Sequence, residues 1–111
     1  MPTELADRTC IPCQGGQPAL GPNDIQPLSR QVPDWEVIAD HHLSRNFAFA
    51  DFASALAFVN RIGQVAEDEA HHPDVFLAWG KVGIELWTHA VDGLSESDFI
   101  VAAKIDRLPR A

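Results

Sequence analysis

Five histidines, at 41, 42, 71, 72 and 89, are the residues of this 111-residue chain best suited to move protons near neutral pH. They form two adjacent pairs and a single. His71-His72 is followed by Pro73 and preceded by Glu67, four residues before His71. On a helix that spacing puts carboxylate and imidazole on one face and in contact. A carboxylate beside an imidazole favours its protonated form, as does a helix C-terminus. The bland alternative is a weak surface pair of Glu67 and His71, with His72 filling the turn. His41-His42 has no carboxylate at helical spacing and no proline behind it, and reads as a solvated turn. Thr88-His89 ends a regular strand pattern, where side chains can project over a site at the rim of a sheet. If that strand end lies beside the helix exit, His71, His72 and His89 converge.

Asp98 has a structural competitor for any role in chemistry. Ser95-x-x-Asp98 has the form of a capping box, and capping is read as its direct job. Trp35, Trp79 and Trp87 each fit either the core or a pocket wall. Both cysteines belong to one motif, Cys10-Ile11-Pro12-Cys13, which is half of a zinc site or a redox pair. A structural zinc site wants four ligands, and no second cysteine pair exists. A redox pair of thioredoxin type wants to open a helix, whereas Gly15, Gly16, Pro18, Gly21 and Pro22 follow here. The motif therefore reads as part of a structured arm. Gly15-Gly16 is too short to cradle a phosphate.

The elements that must position these residues follow from periodicity. Residues 1–22 lack it and read as an extended Pro/Gly-rich arm, leaving 23–111 as a single domain. Asn23 or Asp24 is a candidate cap for a short helix through about Gln31, ended by Pro33. Residues 35–39 read as a strand, residues 40–42 as a turn, and Leu43, Phe47 and Phe49 alternate along a second strand with Arg45 between them. Asp51 caps a long helix whose apolar stripe runs Phe52, Leu56, Val59, Gly63 and Ala66, widened by Ala55 and Ile62. Pro73 stops it and makes His72 extended. Strands over 75–79 and 81–88 flank Gly80, with Val82, Ile84, Leu86 and Thr88 on one face. A last helix opens at Ser95–Asp98 and carries Val101, Ile105 and Leu108 on one stripe. The order β-β-α-β-β-α needs no parallel crossover. It predicts an α+β domain, a four-stranded antiparallel sheet with helices packed on one face.

Composition excludes several classes. Hydrophobic residues make up 46% and charged residues 22%, which supports a packed core and argues against a disordered chain. Eight Lys+Arg against sixteen Asp+Glu give a net charge of −8, a surface that repels phosphate backbones. No apolar run approaches the roughly 20 residues of a membrane span. The first residues show no secretory pattern, so a cytoplasmic location is expected.

Glu67-x-x-x-His71-His72-Pro73, then Trp79 after five residues, His89 after nine more and Asp98 after eight, resembles the signature of pterin-4a-carbinolamine dehydratases. Asp34-Trp35, Arg45-x-Phe47-x-Phe49-x-Asp51-Phe52, Lys81-Val82, Thr88-His89 and Gly93-Leu94-Ser95 agree with it, over about residues 25–108. The arm from Cys10 to Leu20 also resembles one found in a bacterial-type branch. One departure is Ala70, where some members carry an acid. The resemblance implies dehydration of a 4a-hydroxytetrahydropterin to the quinonoid dihydropterin in tetrahydropterin recycling. It implies a catalytic set of His71, His72, His89 and Glu67. In that set His71 and His89 resemble the acid–base groups, His72 also binds substrate, and Glu67 orients and charges His71. How the proton roles divide among the three histidines is not implied. Pterin contacts are implied from His71, His72, Pro73, Thr88, His89, Ala90, Val91 and Trp79, with Asp98 and Trp35 supporting. No cofactor and no metal are expected, because acid–base imidazoles suffice for this reaction.

The resemblance further implies self-association as a homodimer or homotetramer, and room for a protein client. It points to neither direct nucleic-acid binding nor a membrane. Two other readings differ in class. A non-catalytic binding or assembly module on the same fold has no need of all three signature histidines, which are present here. A zinc enzyme using Cys10, Cys13 and histidines predicts one bound zinc per chain.

Overall fold

Alternating burial along two central strands lays down one apolar face, and the helices pack to cover it. A computed structural model describes residues 4–10 and 18–110. In chain order the elements are α1 (Pro22–Ser29), β1 (Glu36–Ile38), β2 (His42–Ala48), α2 (Phe52–Glu69), β3 (Asp74–Ala78), β4 (Lys81–Leu86) and α3 (Glu96–Asp106), preceded by a 3-10 turn at Leu5–Asp7. The strands make one antiparallel sheet in the order β1-β2-β4-β3. Leu43 pairs with Leu86 and Phe47 with Val82, so the buried sets of the two central strands face the same way. This is the expected α+β architecture.

The helix α2 covers the sheet through Ala55, Phe58, Ile62 and Ala66. The expected stripe was rotated: Phe52 and Leu56 are 43% and 41% exposed, and Phe58 replaces them in the core. Apolar residues occupy more than half the helix circumference, so periodicity alone did not choose the face. The helix α3 is buried nearly all round, because the Leu5–Asp7 turn packs on it as well, with Leu5 inside the core. Part of the arm is thus fixed to the domain, and Lys104 Nζ donates to the Ala6 carbonyl at 3.1 Å. Gly21, not Asn23 or Asp24, is the N-cap of α1, with Pro22 at the first helical position where its missing N–H costs nothing.

Two local features set the site. Asp51 caps α2 as expected, accepting from the Ser54 amide at 2.8 Å. At the other end Ala70 takes a left-handed conformation (φ 52°), and the His71 amide donates back to the Ala66 carbonyl at 3.1 Å. The helix therefore ends at Glu69, two residues earlier than Pro73 would require. At the start of the fold, Ala39 and Asp40 both have φ 53°, a left-handed pair in the three-residue turn between Ile38 and His42. The His41 amide donates to the Ile38 carbonyl at 2.8 Å, which keeps His41 in the turn while His42 opens β2.

Candidate active site

The exit of α2 and the end of β4 meet at one end of the sheet. Between them lies a pocket of about 510 Å³, and His71, His72, Pro73, Thr88, His89 and Ala90 all line it. The expected convergence of the three histidines is present.

Their carboxylate partners differ from the sequence reading. His71 Nε2 lies 2.6 Å from Asp98 Oδ1, and Glu67 Oε2 lies 2.5 Å from His72 Nε2. The expectation that Glu67 orients His71 is corrected, because the left-handed Ala70 takes His71 off the helix and breaks the four-residue spacing. The two pairs are unlike in setting. The His71 side chain is 15% exposed and Asp98 is fully buried, whereas His72 and Glu67 are 60% and 73% exposed. In low dielectric the first contact is strong, while the second is largely screened.

Asp98 does two jobs at once. It completes the capping box with Ser95, accepting that residue's amide on Oδ2 at 2.9 Å. The same oxygen accepts the Thr88 hydroxyl at 2.7 Å, which leaves Oδ1 for His71. An ionised carboxylate only accepts, so this network assigns the His71 proton to Nε2 and leaves Nδ1 as the nitrogen that can take one up.

The remaining wall is made of residues the signature does not contain. Trp87 carries His89 stacked on its ring at 3.8 Å between centroids. Cys10, Glu69, Ala70, Asp74 and Ser97 complete the lining. The Cys10 amide donates to Glu69 Oε1 at 2.9 Å, and that bond, with Lys104 at 3.4 Å, holds the Glu69 carboxyl below its usual range. Burial pushes the Cys10 thiol up to about 11, which keeps it protonated and poorly nucleophilic at neutral pH. Only Trp87 had a sequence signal, two residues before His89 on the same strand face. Nothing local marks Cys10 as a pocket residue.

Other sequence candidates are not brought to the pocket. Trp79 is 72% exposed at the turn between β3 and β4, at the opposite end of that hairpin from His72 and His89. Trp35 is buried in the core, its Nε1 donating to Asp106 Oδ1 at 2.8 Å beside Arg45. Val91 lies in the turn after His89 but outside the pocket lining. His41 and His42 are not the partnerless pair expected: His41 Nε2 lies 3.0 Å from Asp92 Oδ1 and His42 Nε2 lies 3.9 Å from Glu85 Oε2. Among the described residues no three His, Cys, Asp or Glu side chains are grouped to hold a metal ion, and Cys13 lies outside those residues. No described helix is long and apolar enough to cross a membrane.

Fold and site together define a small α+β domain with a histidine-lined pocket at one end of an antiparallel sheet. The chain belongs to the pterin 4 alpha carbinolamine dehydratase family, whose model matches residues 18–108. A protein of Rubrobacter xylanophilus, provisionally named a pterin-4-alpha-carbinolamine dehydratase, is 52% identical over 106 residues, covering 96% of this chain and 99% of its own. One of Alkaliphilus metalliredigens with the same provisional name is 54% identical over 104 residues, covering 93% and 94%. The crystal structure of a transcriptional coactivator/pterin dehydratase from Brucella melitensis superposes with a TM-score of 0.74 at 29% identity, over 79% of this chain and 95% of that one. A pterin dehydratase-like protein described as a RuBisCO assembly factor shares the fold, with a TM-score of 0.57 at 24% identity over 66% and 86%.

Proposed function

We propose that this chain is a hydro-lyase that dehydrates a 4a-hydroxytetrahydropterin. The observation that carries the reading is the Asp98–His71 pair and His89 at one pocket. The reaction breaks the C4a–O bond, sends the hydroxyl away as water, and removes a proton from the neighbouring ring nitrogen. It needs one group that takes a proton and one that delivers it. His71 suits the first role, because Asp98 fixes its tautomer and stabilises the positive charge that forms on uptake. His89 suits the second, lining the same pocket from the segment after β4. The exposed His72, beside Pro73, holds the flat ring. Pterin rings carry several amide-like edges, and the polar lining of Thr88, Asp74 and the backbone at Ala90 can meet them.

Large apolar side chains at Phe52 and Leu56 on α2 and at Phe76 and Trp79 on and after β3 are exposed, which supports self-association as a homodimer or homotetramer. The deciding experiment follows the disappearance of freshly generated 4a-hydroxytetrahydropterin by absorbance with and without the protein. Acceleration well above the spontaneous rate, lost in His71→Ala, supports the reading. A rate equal to the uncatalysed one in the folded protein overturns it and leaves a binding module on this fold.

A further inference from the structure

The Trp87 indole touches two imidazoles. His89 stacks on it with centroids 3.8 Å apart and planes 27° from parallel, and His41 meets it at 4.7 Å and 41°. His41 comes from a different part of the chain, the turn between β1 and β2, and it makes a second contact there. Its Nε2 lies 3.0 Å from Asp92 Oδ1. Asp92 closes the 3-10 turn that begins at His89: it is left-handed (φ 49°), and its amide donates to the His89 carbonyl at 3.2 Å. His89 itself is exposed, and among the described residues no carboxylate is hydrogen-bonded to it as Asp98 is to His71. One residue thus reaches both ends of the segment that carries His89, through the indole before it and the carboxylate after it.

We propose that His41 is a positioning residue for His89, and that the β1–β2 turn braces the His89 ring over the pocket through Trp87 and Asp92. This extends the dehydratase reading to a residue outside the family signature. Holding a catalytic ring within a few tenths of an ångström is where such a brace acts, since small misplacements of reacting groups are expensive. Of the two arms, the stack is the stronger. Asp92 is 87% exposed and its pair with His41 is screened by water.

The test uses the full chain with histidines labelled for NMR, and reads the His89 imidazole resonances without substrate. A ring stacked on an indole carries a large ring-current shift. His41→Leu is expected to move the His89 resonances, to lower kcat about tenfold and to leave KM within about twofold, because His41 does not line the pocket. His41→Phe keeps an aromatic ring against Trp87 and is expected to recover kcat to within about threefold, while Asp92→Asn stays within about twofold. His89 resonances unmoved in folded His41→Leu overturn the proposal. Should that variant not fold, His41→Gln, which keeps a polar group toward Asp92 and removes the ring from Trp87, asks the same question, with the same overturning result. The resonances report the brace even if the protein dehydrates no pterin, so failure of the proposed activity and failure of the brace are separate outcomes.

Discussion

Asp98 joins His71 to the start of α3: its Oδ1 faces His71 Nε2 at 2.6 Å while its Oδ2 accepts from the Ser95 amide and the Thr88 hydroxyl. Cap and site are therefore one residue. Their separate contributions can still be distinguished. In Asp98→Asn the two donors on the Oδ2 side require the amide oxygen, which turns the NH2 group toward His71. His71 must then accept on Nε2 and carry its proton on Nδ1, the wrong tautomer for a base. The expected result is a fall in kcat of about 10²–10⁴-fold with little change in melting temperature. An unchanged kcat with a lowered melting temperature would reduce Asp98 to a cap.

This pairing also shows where sequence reading reached its limit. The strands, the order of elements and the three histidines follow from alternation, caps and proline stops, all of which are local. The partner of each histidine does not. Ala70 has no feature that marks it as left-handed, yet its conformation moves His71 off the α2 face and exchanges Glu67 for Asp98. Cys10 reaches the pocket through contacts distant in sequence, the burial of Leu5 against α3 and its own amide's bond to Glu69. Phe52 and Leu56 have the right period for the core and lie on the wrong side of a helix that is apolar on two faces.

Glu67→Gln tests the corrected pairing. If Glu67 charged His71, its removal would move the pH profile of turnover to lower pH. It faces the exposed His72 instead, so the profile is expected to stay in place and kcat to change by no more than about threefold, as for an exposed ion pair. His72→Ala is expected to act on affinity, raising KM about tenfold with a smaller change in kcat. Steady-state kinetics between pH 6 and 9 check both.

The Cys10 thiol makes a prediction about stability. Its pKa rises from 9.0 to about 11 on folding, chiefly by burial. A group that holds its proton more tightly when folded stabilises the fold in the protonated state, and that contribution is lost as pH climbs from about 9 through about 11. Denaturant unfolding in a Cys13→Ser background should show a steeper fall in stability over this window than Cys10→Ser, Cys13→Ser does. Turnover of the double variant is expected within about threefold of the parent, roughly 0.65 kcal/mol in barrier. A loss of two orders of magnitude would show that a thiol takes part in the reaction.

Trp35→Phe should separate core from pocket. The indole N–H bonds to Asp106, whose carboxyl is raised by burial against the opposing pull of Trp35 and Arg45. Removing the donor leaves a half-buried carboxylate with Arg45 as its remaining strong partner and is expected to cost about 1.5–3 kcal/mol. The folded fraction should turn over at the parent rate, since no Trp35 atom reaches the pocket. Chemical denaturation beside kcat decides it.

The strongest test of the site is whether His71 and His89 act as a unit. They line one pocket from the exit of α2 and the segment after β4, one locked by a buried carboxylate and one stacked on an indole, so each has its own direct support. His71→Ala and His89→Ala are each expected to lower kcat by about 10²–10⁴-fold, the range for a positioned acid or base. If both serve one transition state, the double variant loses less than the product of the single losses, because the second removal finds a step already uncoupled. His42→Ala supplies the comparison. Its nearest carboxylate, Glu85, stands 3.9 Å away and neither residue lines the pocket, so turnover should stay within about threefold. Single losses that multiply would show two independent contributions and no unit, and a His42 loss as large as that at His71 would remove the basis for the site.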